Sequence, residues 1–286
     1  MSTATPTPAP HTPGAPAPAS RPTRLLDRRA WHESVMGMPV SVHLRAPHLG
    51  PDVDAAVAAV YAELRRLEAL LSTYKPDSDL SRLADGALTL DQCAPEVAEV
   101  LELCTLATAH TAGAFSALRP LPGGGHRLDP TGLVKGWAVE RAAAPLRDLG
   151  VDWYVNAGGD IAAHVAENRP PWRVGIEDPH DRGRVLAVVA LRDGGVATSG
   201  TAARDGHIWD PRTGAPADRL ASVTVAGPTL LWADVLATAV FVEGPAAVGC
   251  AVRDGYEVVV VHRDGRAERT APVVAARCEA APAPTP

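Results

Sequence analysis

The chain has 286 residues, 46% of them hydrophobic, enough for one large domain or two small ones with a full-sized core. A net charge of −6 with no Lys- or Arg-rich run argues against a nucleic-acid partner. No run of about eighteen apolar residues is present to span a membrane.

The four cysteines, Cys93, Cys104, Cys250 and Cys278, form no C-x-x-C pair, and their spacing suggests neither a zinc site nor a disulfide framework. They read as ordinary thiols. Residues 1–24 are rich in Pro, Ala, Thr and Ser and are expected to be disordered, because such a segment buries too little apolar surface to offset ordering. They contain no apolar core and no cysteine to be lipidated, so no secretory signal is read there and cytoplasmic residence is expected. Residues 271–286 read as a second disordered tail. Residues 25–270 then form a single domain with no internal repeat or linker.

Within that domain, Met36 to Arg45 reads as a strand with Val40, Val42 and Leu44 on one face. Asp52 to about Tyr74 is the clearest helix: Val53, Val57, Val60, Leu64, Leu67 and Leu71 recur at spacings of three and four, and Asp52 can cap it. Tyr74 stands at its end, where an aromatic either stacks a planar ring or plugs a hydrophobic gap. Ala94 to Ala112 is a second helix, with Pro95 near its first turn and Gly113 past its end. Asp129 can cap a third, with Pro130 at the first helical position and Gly150 as the stop. Val151 to Val155 is a short strand ending in Asn-Ala-Gly-Gly-Asp, where two glycines permit a sharp turn or close approach to a ligand. Strands follow at Trp172–Ile176, Leu186–Leu191, Val196–Gly200 and Ser222–Val225. Leu230–Val242 is an apolar helix, Pro245–Arg253 a shorter one, and Glu257–His262 the last strand. Strands and helices do not alternate regularly, which predicts α+β layers rather than a doubly wound parallel sheet.

Some of these elements carry candidate chemistry. Asp234 and Thr238, four apart on a helix, put two oxygens on one face, as a hard cation such as Mg²⁺ requires. The alternative is an exposed aspartate with a threonine bonded back to the helix, but Asp234 lies in the apolar run LLWADVLATAVFV. Lys135, one turn into its helix, suits a phosphorylated ligand, since its charge adds to the orphan N–H groups there; a surface lysine beside a capping aspartate is the alternative. GLVKGW is not a Walker A loop, NAGGD is not a G-x-G-x-x-G fingerprint, and neither G-x-S-x-G nor H-E-x-x-H occurs. His207 can act as a base near neutral pH or be structural, and Asp210 is read as organising the Pro-Arg-Thr-Gly turn after it.

Taken together, MGMPVSVHL at 36–44, LSTYKPDSDLSRL at 71–83, GAFS at 113–116, DPTGLVKGWAVE, VNAGGDI, WRVGIEDP at 172–179, ATSG at 197–200, HIWDPRTG at 207–214 and ADVLAT at 233–238 resemble, in order, the motifs of the ApbE family of FAD-dependent protein FMN transferases. The resemblance implies a single α+β domain of mixed sheets with packed helices. It also implies Mg²⁺-dependent transfer of FMN from FAD to a Thr or Ser hydroxyl of an acceptor flavoprotein, with release of AMP. By this resemblance Met36, Tyr74, Ala114, Phe115, Ser116, Asp129, Lys135 and His207 contact FAD. Gly132 through its carbonyl, Asp234 and Thr238 hold the metal, with His207 and Asp234 in catalytic roles. Two departures stand out. Ser116 replaces the family's aspartate, and the segments at 116–128 and 201–206 are short. Hydrolysis of FAD to FMN and AMP, or FAD binding without catalysis, therefore remain as alternatives.

Overall fold

A computed structural model describes residues 26–121, 123–201 and 208–270. Strands β1 (Asp27–Val35) and β2 (Met38–Ala46) form an antiparallel hairpin whose two-residue turn is Met36-Gly37. Both turn residues have positive φ, 57° and 69°, as a type I′ hairpin requires. Met36 is therefore a hairpin corner and not the start of a strand. The sequence does not announce β1, because almost every residue in it is exposed and no apolar face alternates.

Helix α1 (Asp52–Leu71) buries all six residues expected from its periodicity, and Tyr61 as well. Each fully buried side chain of this kind stabilises the fold by about 1.5–3 kcal/mol. Pro51, not Asp52, holds the N-cap position. The helix ends three residues before Tyr74, where the Ser72 carbonyl accepts the hydroxyls of Ser78 and Ser81 at 2.6 and 3.1 Å. Helix α2 (Asp79–Ala84) follows, capped by Ser78, and then α3 (Pro95–His110). A small hairpin of β3 (Leu118–Pro120) and β4 (His126–Leu128) leads to α4 (Thr131–Ala142) and α5 (Ala144–Arg147). The single helix expected up to Leu149 is thus two. Pro145 has no N–H to donate, and its ring crowds the preceding turn.

Strands β5 (Asp152–Ala157) and β6 (Asp160–His164) form a second tight hairpin around Gly158-Gly159, with φ of 60° and 105°. The remaining elements are β7 (Trp172–Asp178), β8 (Asp181–Leu191), β9 (Asp193–Gly200), β10 (Leu220–Gly227), α6 (Leu230–Glu243), α7 (Val248–Arg253), β11 (Glu257–His262) and β12 (Ala267–Arg269). Eight strands make one sheet in the order β1-β2-β5-β6-β9-β10-β11-β12, and every pairing is antiparallel. The helices pack on one face of this sheet through a large core that includes Val42, Leu64, Trp153, Val223 and Leu236. On the other face the β7–β8 hairpin lays Ile176, Val189 and Leu191 against Ala163, Val196 and Ala226. The outcome is the α+β layering that the irregular element order predicts. No described helix is long and apolar enough to cross a membrane. The two predicted tails, 1–24 and 271–286, lie outside the described residues.

Candidate active site

The site begins where α4 crosses α6. A Cβ on Gly136 would stand 2.9 Å from the Leu230 carbonyl oxygen and 3.0 Å from Leu231 Cα, so glycine is what lets the helices approach this closely. At that crossing the Gly136 N–H donates to Asp234 Oδ2 at 3.3 Å. Thr229 caps α6 by accepting the Trp232 N–H.

One turn beyond Asp234, the Thr238 hydroxyl lies 3.3 Å from Ser199 Oγ at the end of β9. Gly132 faces the same point: a Cβ there would be 3.2 Å from the Phe115 ring and 3.9 Å from Thr238 Oγ1. Lys135 extends from α4 to Asp160 Oδ2 at 2.5 Å and to Asp234 Oδ1 at 3.7 Å. Both carboxylates are almost fully buried, and Asp160 Oδ1 also accepts the Thr198 N–H at 3.0 Å. Burial opposes the Lys135 charge, but Asp234 and Asp160 outweigh it and hold its pKa above the ordinary range. Burial drives the Asp234 carboxyl well above the usual carboxylate range, against the pull of Lys135 and with help from Asp160. Two buried carboxyl groups thus share a single ammonium, that of Lys135. A carboxylate and two hydroxyls, with the Gly132 backbone alongside, form the oxygen-only donor set that suits a hard divalent cation.

A cavity of about 1320 Å³ opens above this cluster. Its lining contains Met36, Tyr74, Ala114, Phe115, Ser116, Asp129, Gly132, Lys135, Asp234 and Thr238, every site residue singled out in the sequence except one. The exception, His207, lies outside the described residues. Tyr74 is 81% exposed at the mouth, free to cover a planar ligand. Asp129 does not cap α4 as predicted. Its Oδ1 accepts the Thr131 hydroxyl at 2.6 Å and the Thr131 N–H at 3.3 Å, which starts the helix one residue later with Pro130 at the N-cap. Asp210 organises its turn, accepting the Arg212 N–H at 2.9 Å while its carbonyl accepts from Thr213 and Gly214.

Asp160, Ser199 and the β7–β8 wall, with Glu177 and Arg182, are among the cavity residues to which the sequence alone assigns no individual role. Asp160 had one sequence signal: a carboxylate directly after a Gly-Gly turn, opening the apolar strand DIAA. The two hairpin turns adjoin at the rim, since the Gly158 N–H donates to the Pro39 carbonyl at 3.1 Å. A Cβ on Gly158 would be 3.2 Å from the Met38 sulfur.

Fold and cavity together define an α+β protein with a large cavity floored by carboxylate and hydroxyl oxygens. The chain belongs to the ApbE family, whose model matches residues 36–120 and 119–260. It is 33% identical over 156 residues to the FAD:protein FMN transferase of Klebsiella pneumoniae, covering 50% of this chain and 45% of that one. To the FAD:protein FMN transferase of Treponema pallidum it is 33% identical over 202 residues, covering 62% and 56%. The matches thus span about half the length of these curated relatives. Among solved structures, the ApbE protein of Thermotoga maritima superposes with a TM-score of 0.75 at 21% identity, covering 85% of this chain and 97% of that one. The apo flavinyl transferase ApbE of Pseudomonas stutzeri superposes with a TM-score of 0.71 at 26% identity, covering 86% and 96%.

Proposed function

We propose that this protein is an FAD:protein FMN transferase, moving FMN from FAD to a Thr or Ser hydroxyl of an acceptor protein with Mg²⁺ as cofactor. The observation that carries this reading is the Asp234–Thr238–Ser199 oxygen cluster, with Lys135 beside it, on the floor of a cavity large enough for a dinucleotide. Asp234, Thr238 and the Gly132 carbonyl hold Mg²⁺, which when bound neutralises pyrophosphate charge. Tyr74 and Met36 flank the isoalloxazine at the mouth, the backbone of Ala114, Phe115 and Ser116 lines the nucleotide, and Asp129 orients it. Lys135 adds its charge beside the phosphates, while Asp160 keeps that ammonium aimed into the site.

In the reaction the acceptor oxygen attacks the phosphorus of the FMN half. A new phosphoester bond forms, the bond from that phosphorus to the bridging oxygen breaks, and AMP leaves with that oxygen. The acceptor proton passes to a base, a role assigned to His207. The test is incubation with FAD, with and without Mg²⁺, following AMP by chromatography and acceptor mass. Mg²⁺-dependent AMP together with flavin on the acceptor is the expected result. AMP with only free FMN, in the presence of competent acceptors, replaces the transferase with a hydrolase, and FAD bound without AMP leaves a binding protein.

A further inference from the structure

Away from the cavity, the end of α3 meets the end of α7. There His110 Nε2 lies 2.6 Å from Asp254 Oδ2 and 3.7 Å from Cys250 Sγ. Cys250 belongs to α7 and Asp254 is its C-cap four residues on, so the two side chains leave successive turns on one side. Among the described residues, this is the one group of three His, Cys, Asp or Glu side chains whose ligand atoms all lie within 4.8 Å of one another. The contact joins residues 140 apart in the chain, which is why cysteine spacing gives no sign of it.

The donor set is selective. A thiolate, an imidazole and a carboxylate together suit a zinc-class ion and not Mg²⁺. Tetrahedral coordination with metal–sulfur near 2.3 Å and metal–nitrogen near 2.0 Å gives a sulfur–nitrogen edge of about 3.5 Å. The sulfur–nitrogen separation here is 3.7 Å. The shorter His110–Asp254 contact is a hydrogen bond, which the carboxylate exchanges for the metal by swinging outward. Trp232 packs edge-on to His110, centroids 5.2 Å apart at 68°, and fixes the imidazole plane. A cavity of about 310 Å³ between α3, α6 and α7, lined in part by His110 and Cys250, leaves room for the ion and a water ligand. Arg212 and Arg253 also line that cavity, together with Glu243, which engages Arg212 at 2.8 Å.

We propose that His110, Cys250 and Asp254 form a second metal site, for a thiophilic divalent cation of the zinc class. On binding, the Cys250 thiol releases its proton to solvent, and His110 coordinates as neutral imidazole through Nε2. The ion ties α3 to α7 just before the chain enters the cavity wall. Thr111 Oγ1 accepts the Phe115 N–H at 3.0 Å, so an anchored α3 end also steadies the Ala114–Ser116 backbone.

The test uses the full chain, stripped with a chelator and titrated with cobalt(II). One cobalt per chain with a thiolate-to-metal charge-transfer band in the near ultraviolet is expected, unaffected by excess Mg²⁺. Cobalt in the all-oxygen site gives no such band. The band disappears in Cys250→Ser, a near-isosteric change at a half-buried position, and weakens at least several-fold in Asp254→Asn. A missing band, or one unchanged in Cys250→Ser, overturns the proposal. Zinc(II) supplies a second readout: it raises the thermal midpoint of the parent protein and not that of Cys250→Ser. Equal rises in both also overturn it.

Discussion

Glu140, in the last turn of α4, accepts the Leu230 N–H at 2.5 Å through Oε1, ninety residues away in sequence. Its other oxygen accepts the Leu231 N–H at 3.3 Å. A side chain on one helix thus satisfies two orphan donors at the start of the next. That next helix carries Asp234 and Thr238, so the bond also fixes their register against Gly132 and Lys135. In Glu140→Ala both N–H groups lose their acceptor. The expected loss is about 1–3 kcal/mol of stability, measured by denaturant unfolding, together with weaker Mg²⁺ dependence of AMP release. Glu140→Gln keeps one carbonyl acceptor and is expected to fall between the two.

The same carboxyl gives stability a pH dependence. Burial raises the Glu140 pKa against the pull of the Leu230 and Leu231 N–H groups, and burial raises Asp234 further. Between the ordinary carboxylate range and these raised values, the folded chain holds protons that the unfolded chain has released. Stability contributed by these groups is therefore present at low pH and lost as pH rises through the folded-state values. Denaturant midpoints of metal-free protein, measured from about pH 5 to about pH 8, are expected to fall less steeply in Glu140→Gln than in the parent. Identical slopes would remove Glu140 from this account.

Gly136→Ala drives a methyl into the Leu230 carbonyl and Leu231 Cα, both backbone atoms that cannot rotate aside. The expected cost is about 1–3 kcal/mol, read as a lower thermal midpoint. Because the two helices must separate, Mg²⁺ dependence should weaken in parallel. A variant as stable as the parent would show the crossing to be looser than described.

Asp160→Asn removes one of the two buried carboxyl groups that flank Lys135 while leaving an oxygen for the Thr198 N–H. Lys135 is then left to pair with Asp234, in competition with the cation. The Mg²⁺ concentration for half-maximal AMP release is expected to rise about tenfold, equivalent to ~1.4 kcal/mol. An unchanged requirement would mean that Asp160 only anchors β9.

Thr238→Val is nearly isosteric and removes the hydroxyl that faces Ser199. Folding is expected to be unaffected by circular dichroism, while the Mg²⁺ requirement rises about tenfold or more, ~1.4 kcal/mol. Normal Mg²⁺ titration in this variant would overturn its assignment as a ligand.

Much of this arrangement was legible in the sequence, and the failures have identifiable causes. Helix α1 announced itself because one apolar stripe runs its full length. The burial of Asp234 was readable from its place inside LLWADVLATAVFV, and its shared face with Thr238 from their four-residue spacing on a helix. Strand β1 was unreadable: its partner β2 supplies the register, and its own residues face solvent. Asp160 and Ser199 were hidden for a different reason. Their importance comes from Lys135 and Thr238, which reach them from other elements, and no local periodicity encodes such a meeting. The early start predicted for α4 failed because Asp129 spends its oxygen on Thr131, a choice between two local hydrogen bonds that composition cannot decide.

The adjoining turns at Met36-Gly37 and Gly158-Gly159 have a consequence for how this rim can change over time. Three of its four corner residues are glycines, so it presents mostly main chain, and exchanging one side chain for another has little there to alter. Both loops are already at the two-residue minimum for a hairpin, held in register by strand pairs on each side. New contours at this edge of the opening would come from inserted residues more readily than from substitutions. Variation in loop length, more than in residue identity, is where descendants of this chain would diverge in what they admit.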